Sequence, residues 1–217
     1  MTYYPVYLNL KGRRVSVIGG GKVAERKVAS LLDSGASIEV ISPEATVRIA
    51  ALANAGIIEW QRRPYSKGDC VGVAMVFSAT DDPDVSRIVF DDAREAGALV
   101  NTADETALCD FIMPAVVRRG DLSIAISTGG RSPALASQLR RKLSKILGPE
   151  YGRLLSLMSR VRPEIRQRVE RSEARKHLHH RILRSGVLQL LRRHDGSGAE
   201  KLVHNIIEEF ALEEQKL

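Results

Sequence analysis

Residues 15–24 read Val15-Ser16-Val17-Ile18-Gly19-Gly20-Gly21-Lys22-Val23-Ala24. A β-branched run meets three glycines and passes straight into a helical pattern, Val23-Ala24-Glu25-Arg26-Lys27-Val28-Ala29-Ser30-Leu31-Leu32. In this order of strand, turn and helix, a G-x-G-x-x-G/A spacing points to a dinucleotide site. Gly19 is expected to make the tight turn and Gly21 to let the backbone approach a pyrophosphate. Ala24 lets helix and strand pack closely. The helix start, Lys22 and Val23, then presents its amides to the phosphates. Alone, the glycine spacing also suits an ordinary strand-to-helix turn, so the flanking pattern carries the nucleotide reading.

Outward from this point, strand and helix signals alternate over the first hundred residues. Ser37-Ile38-Glu39-Val40-Ile41-Ser42 reads as a second strand, and Pro43 opens a helical segment ending near Gly56. Ile57–Trp60 and Val73–Ser78 read as strands three and four. Asp81–Ala96 reads as a helix with Asp82-Pro83 as cap and first turn. Ala98–Asn101 is a fifth strand. This alternation predicts an α/β fold with a Rossmann-type parallel sheet. Near Phe111 the pattern changes. Leu122–Ser127 alternates apolar and polar residues, Thr128–Pro133 is a turn, and a basic helix runs from about Ala134 to Leu147. Beyond Gly148-Pro149 the chain is helical in pattern, with breaks near Ser185-Gly186 and over Asp195–Gly198. Three parts are expected: a nucleotide-binding domain over residues 1–113, a small strand-helix dimerisation segment over 114–148, and a helical C-terminal domain over 149–217. The lone strand at Leu122–Ser127 needs a partner, and the same strand in a second subunit would supply one.

A chain of 217 residues can bury its own core without staples. No apolar run approaches the ~20 residues that span a bilayer. The start, Met1-Thr2-Tyr3-Tyr4-Pro5, lacks the pattern of a signal peptide. Cys70 and Cys109 stand far apart, as expected of reduced thiols in a cytoplasmic protein. The net charge of +7 is uneven: Arg131–Arg193 holds 17 Lys/Arg against 4 Asp/Glu, a net of +13. Such a block attracts acidic partners, or it is simply a solvated helical face.

Ligands of open α/β sheets sit at the carboxyl ends of the strands. Gly19, Gly21, Lys22 and Val23 follow strand one; Ser42, Pro43 and Glu44 follow strand two; Thr80 follows strand four; Asn101 and Asp104 follow strand five. NAD-binding sheets usually carry an acid about 20 residues past the glycines for the ribose hydroxyls. Glu44 or Ser42 answers that need imperfectly, so NAD is expected over NADP with the choice left open. Asp104 reads as a general base beside the nicotinamide or as a capping aspartate. Thr128-Gly129-Gly130-Arg131-Ser132 reads as an anion or carboxylate site at a helix start, or as a plain turn. His177 and His180 share a helix face, but no third ligand is placed beside them, and no metal site is expected.

These residues together resemble the precorrin-2 dehydrogenase family of siroheme biosynthesis, which includes standalone enzymes and the N-terminal portion of siroheme synthase. The resemblance rests on Pro5–Leu10, Ile18–Lys27, Ala79–Asp82, Asn101–Asp104, Asp110–Ala115 and Ala125–Ala136, in family order over about residues 5–145. It implies NAD-dependent oxidation of precorrin-2, a tetrapyrrole, to sirohydrochlorin. It also implies a homodimer joined through the middle segment, and in some members insertion of ferrous ion as a further substrate. Asp104 falls on the family's proposed catalytic aspartate. Thr128 stands where many members have serine, in a segment that lines the tetrapyrrole site with Asn101, Gly129, Gly130, Arg131 and Ser132. A chain ending at Leu217 is expected to lack the methyltransferase module of the multifunctional relatives. Two other readings are a protein that is mainly a chelatase and a nucleotide-sensing module with basic helices. The sequence shows no nucleic-acid motif, and its arginines are too scattered for a membrane-surface helix.

Overall fold

The computed structural model describes residues 3–103 and 105–214, which form two compact units, Met1–Met113 and Pro114–Leu217. In the first, β1 (Arg14–Ile18), β2 (Ser37–Ile41), β3 (Glu59–Gln61), β4 (Met75–Ser78) and β5 (Leu99–Thr102) form one parallel sheet in the order β3-β2-β1-β4-β5. The helices are α1 (Lys22–Leu31), α2 (Val47–Asn54) and α3 (Pro83–Glu95). Strand order reverses between β1 and β4. A doubly wound sheet opens its ligand crevice at that reversal, and the glycine turn lies there.

Strand alternation splits the core in two. Val15, Val17, Ile38, Val40, Met75 and Phe77 pack on one face with Ala24, Val28 and Leu31 of α1. Ile18, Ile41, Val76 and Val100 pack on the other with Val89, Phe90 and Ala93 of α3. Each fully buried Val, Ile or Phe contributes about 1.5–3 kcal/mol, so burial on both faces fixes the register. Glu39 is the exception in the middle of β2. It is 5% exposed, and its carboxylate accepts from the Ser16 hydroxyl, from Arg14 at 3.1 Å and from Gln61 Nε2 at 3.2 Å. This row of polar groups ties the edge strand β3 to β1.

The second unit begins with β6 (Ala115–Arg119) and β7 (Leu122–Ile126), an antiparallel pair. The strand expected to stand alone therefore has a partner within its own chain. Arg119 opposes Leu122 across a two-residue turn whose first residue, Gly120, has φ 59°. Such a turn needs a positive φ there, and that conformation costs glycine little. Arg119 then caps α4 (Pro133–Ile146): its guanidinium donates to Leu147 O at 2.7 Å and Ser144 O at 2.8 Å. Four more helices follow: α5 (Glu150–Arg168), α6 (Ser172–Arg184), α7 (Val187–Arg192) and α8 (Gly196–Glu214). Leu157, Val161, Ile165, Leu178, Ile182, Val203 and Ile207 are the centre of their core.

Helix α2 starts at Val47, not at Pro43. Thr46 caps it by accepting from Ile49 N, and Thr46 N donates to Gly20 O at 2.9 Å. Residues 42–46 are thereby drawn out of the helix as a loop against the glycine turn. Among the described residues no helix is long and apolar enough to cross a membrane.

Candidate functional site

Gly19, at φ +111°, donates its N–H to Ile41 O at 2.9 Å. A Cβ there would lie 2.4 Å from Ala79 O, and one on Gly20 would lie 1.9 Å from Glu44 O. The turn is therefore wedged between the ends of β2 and β4 with no room for a side chain. Gly21 differs. Its conformation is extended, a Cβ would meet nothing within 4 Å, and it caps α1 without a side-chain hydrogen bond. The first amides of α1 thus open onto free space beside a backbone bare of side chains. Such a cradle fits a pyrophosphate.

Around it the carboxyl ends bring together the nucleotide-side residues expected from the sequence. Lys22 is well exposed and pairs with Glu25 at 3.3 Å. The Thr46 hydroxyl, then Lys22, hold the Glu25 carboxyl below the usual carboxylate range, which ties α1 to the loop after β2. Val23 packs onto the sheet's first core face. In that loop Pro43 and Glu44 are exposed, whereas the Ser42 hydroxyl donates to Glu44 O at 2.7 Å. Glu44 is thus the carboxylate of this loop that remains open to solvent. Thr80 is half-buried, and its Oγ1 accepts from Asp82 N at 3.2 Å.

Asn101 is 6% exposed at the end of β5. Its Oδ1 accepts from Lys27 Nζ at 2.8 Å, and its Nδ2 donates to Phe111 O at 2.9 Å. Both ends of the amide are held within the protein. Asp104 lies outside the described residues. Thr128, Gly129, Gly130, Arg131 and Ser132 belong to the second unit, where they form a self-contained turn. Thr128 Oγ1 accepts from Ser132 N at 3.1 Å, and Ser132 caps α4 by accepting from Leu135 N. Gly129 and Gly130 have φ of 62° and 79°, and Arg131 is exposed.

Two residues to which the sequence assigned no role belong to this edge. Lys27 sits on the buried stripe of α1, between Ala24 and Leu31, with its ammonium 5.0 Å from the Phe77 ring centroid. The signal was a lysine on an apolar helix face. Thr102, 4% exposed, ends β5 with its Oγ1 buried and unpartnered among the described residues. Lys27→Met is expected to cost about 2 kcal/mol, because Asn101 Oδ1 then loses a charged donor in a buried place. A urea melt checks this, and an unchanged midpoint would show that Asn101 does not depend on the lysine.

Both cysteines are free. Burial pushes the Cys70 thiol up to about 11, so it is inert near neutrality. Among the described residues no group of three or more His, Cys, Asp or Glu is gathered as for a metal ion.

Residues 6–115 match a family described as putative NAD(P)-binding. Residues 119–145 match the sirohaem biosynthesis protein central family, and residues 150–207 the sirohaem synthase dimerisation region. The chain belongs to this NAD(P)-binding family, and the two sirohaem matches follow it in order along the chain. It is 35% identical over 99% of its length to siroheme synthase from Methylococcus capsulatus, covering 45% of that protein. It is 37% identical over 87% of its length to the Nitrosococcus oceani siroheme synthase, covering 40%. The chain thus spans less than half the length of these curated relatives. Among solved structures, SirC, a precorrin-2 dehydrogenase, matches with a TM-score of 0.77 at 27% identity, over 94% of this chain and all of that one. The region that the family description associates with dimerisation, 150–207, lies downstream of residues 114–148, where the dimer contact was expected.

Proposed function

We propose that the chain is an NAD-dependent oxidoreductase that converts precorrin-2 to sirohydrochlorin. The observation that carries this is the side-chain-free cradle at the strand reversal, in a chain that matches a precorrin-2 dehydrogenase over that protein's whole length. Gly19, Gly20 and Gly21 keep the backbone bare, and the amides of Lys22 and Val23 take the pyrophosphate. Pro43 and Glu44 receive the adenine-side ribose, and Thr80 borders the same edge. NAD+ bound there supplies the hydride acceptor. Removal of two hydrogens also releases a proton, and Asp104 takes it. Asn101, held by Lys27, fixes the end of β5 before Asp104, while Thr128, Gly129, Gly130, Arg131 and Ser132 meet substrate carboxylates. The enzyme works as a homodimer in the cytoplasm, and ferrous ion enters as a second substrate if the product is metallated on the same protein.

An anaerobic absorbance assay tests this. Precorrin-2 is generated in situ, and NAD+, NADP+ and then Fe2+ are added in turn. Nucleotide-dependent formation of sirohydrochlorin is expected, faster with NAD+. Asp104→Asn is expected to slow oxidation by roughly 100-fold or more, the usual effect of losing a general base, with nucleotide affinity unchanged. No oxidation with either nucleotide would overturn the assignment. A faster reaction with NADP+ would overturn the role given to Glu44.

A further inference from the structure

The second unit contains a cleft of about 570 Å3 between the β6–β7 turn and helices α5, α7 and α8. Four guanidinium-bearing residues line it, Arg118, Arg119, Arg153 and Arg160, against one carboxylate, Glu200. We propose that this cleft is a binding site for a small oxyanion carrying two or more negative charges, a polycarboxylate or a phosphate ester. The proposal does not rest on the oxidoreductase reading.

The arginines differ in what already holds them. Arg119 is spent on backbone carbonyls, at Leu147, Ser144 and Arg118. Arg160 pairs with Glu200 on the exposed rim. Arg153 donates Nη2 to Leu191 O at 2.9 Å, but its Nε is buried and has no hydrogen-bond partner among the described residues. A buried guanidinium nitrogen without an acceptor is uncommon, and such a group calls for an ion or water as partner. A guanidinium donates charge-assisted hydrogen bonds to a carboxylate or phosphate.

The backbone adds to the same field. Pro149 and Gly152, at the start of α5, and Gly196, at the start of α8, line the cleft. Helix starts carry partial positive charge. Helix α5 has no side-chain cap, and its first-turn acid Glu150 is engaged by Arg192 at 2.9 Å. At α8 Asp195 caps the Gly198 amide, so that end is partly neutralised. Gly152 also lets the hairpin close on the helix, since a Cβ there would lie 2.6 Å from Arg119 O. The net effect is a concave surface whose lining side chains carry a formal charge of +3, which concentrates multivalent anions.

Isothermal titration of the full chain with tricarballylate and with pyrophosphate tests the proposal. Binding is expected, weakening as salt shortens the Debye length. Arg153→Gln should weaken it about tenfold or more, the effect of losing a charge-assisted pair. That variant could also disturb α5, so two substitutions at exposed positions complete the test. Ser156→Glu places a carboxylate on the cleft wall and should abolish binding. Glu200→Gln releases Arg160 and should tighten binding roughly threefold, the scale of an exposed ion pair. Competition by uroporphyrin, an octacarboxylate, would show that the oxyanion is carried on a tetrapyrrole; lack of competition would assign a free anion. Absence of binding by both probes, or binding unchanged by Ser156→Glu and Glu200→Gln, would overturn the proposal.

Discussion

Gly20→Ala is expected to unfold the first unit at a temperature at least roughly 10 °C below the wild type. The added Cβ would meet Glu44 O at 1.9 Å and Ala45 Cα at 2.8 Å, and both are backbone atoms that no rotamer change can move. Overpacking of this kind costs about 3 kcal/mol, and for a domain of this size each kcal/mol lowers Tm by about 4 °C. Gly19→Ala should do as much, because it adds a left-handed φ to a 2.4 Å approach to Ala79 O. Gly21→Ala should behave otherwise. Its backbone is extended and its Cβ would sit in open space, so the cost is that of a poorer helix cap, about 1 kcal/mol or less. Yet that Cβ would stand where a pyrophosphate must approach, and nucleotide affinity should fall about tenfold or more, as for a lost charge-assisted hydrogen bond. Thermal melts beside NAD+ titrations separate the two effects. Nucleotide affinity unchanged in Gly21→Ala would show that the turn holds the fold and not a phosphate.

The three glycines show what could be read from the sequence and what could not. Strand, turn and helix were legible because their period is local: Val15 and Val17 alternate, and Ala24, Val28 and Leu31 recur at helical spacing. The spacing alone did not say which glycine serves packing and which serves the ligand. That depends on Ala79 and Glu44, far along the chain, and only the folded sheet brings them to the turn. The hairpin partner of Leu122–Ile126 was hidden for a related reason. Arg118 and Arg119 break the apolar pattern of β6, and Arg119 is there to cap α4, not to face solvent. Pro43 looked like a helix start because proline favours a first turn. The hydrogen bond from Thr46 N to Gly20 O decides instead for a loop. Of the proposed site, the order of residues along the sheet edge was legible. That Lys27, 74 residues away, and Phe111, 10 residues away, would occupy the Asn101 amide was not, since such pairing has no sequence period.

The largest expected loss away from the glycine turn is at Asp92. No helix covers the sheet between β3 and β4, where a chain crossing from the edge to the centre would ordinarily place one. Residues 62–73 run as a loop instead, and a polar latch fastens it. Asp92 on α3, 4% exposed, accepts from the Tyr65 hydroxyl and from Gly68 N at 2.9 Å, and Tyr65 in turn contacts Cys70 Sγ at 3.2 Å. Asp92→Ala removes the acceptor from these donors while leaving them enclosed, which should cost about 3 kcal/mol; Tyr65→Phe should cost about 1–2 kcal/mol. The latch also sets an acid limit. Burial raises the Asp92 carboxyl, but the Tyr65 hydroxyl with the Gly68 and Cys70 groups outweighs it and leaves the carboxyl below its ordinary value. Arg63 first, then the Ser66 amide, do the same for Asp69 in the loop. A carboxyl depressed in the folded state stabilises fully above its unfolded value, about 3.9, and loses that contribution as pH falls through the folded value. Urea midpoints should therefore hold from neutrality down to about pH 5 and fall steeply below pH 4. Asp92→Asn should start lower and fall less steeply over the acid range. Equal acid slopes in the two proteins would show that Asp92 is no better stabilised in the folded state than in the unfolded chain, and the latch would then owe its strength to packing around Tyr65 and Cys70.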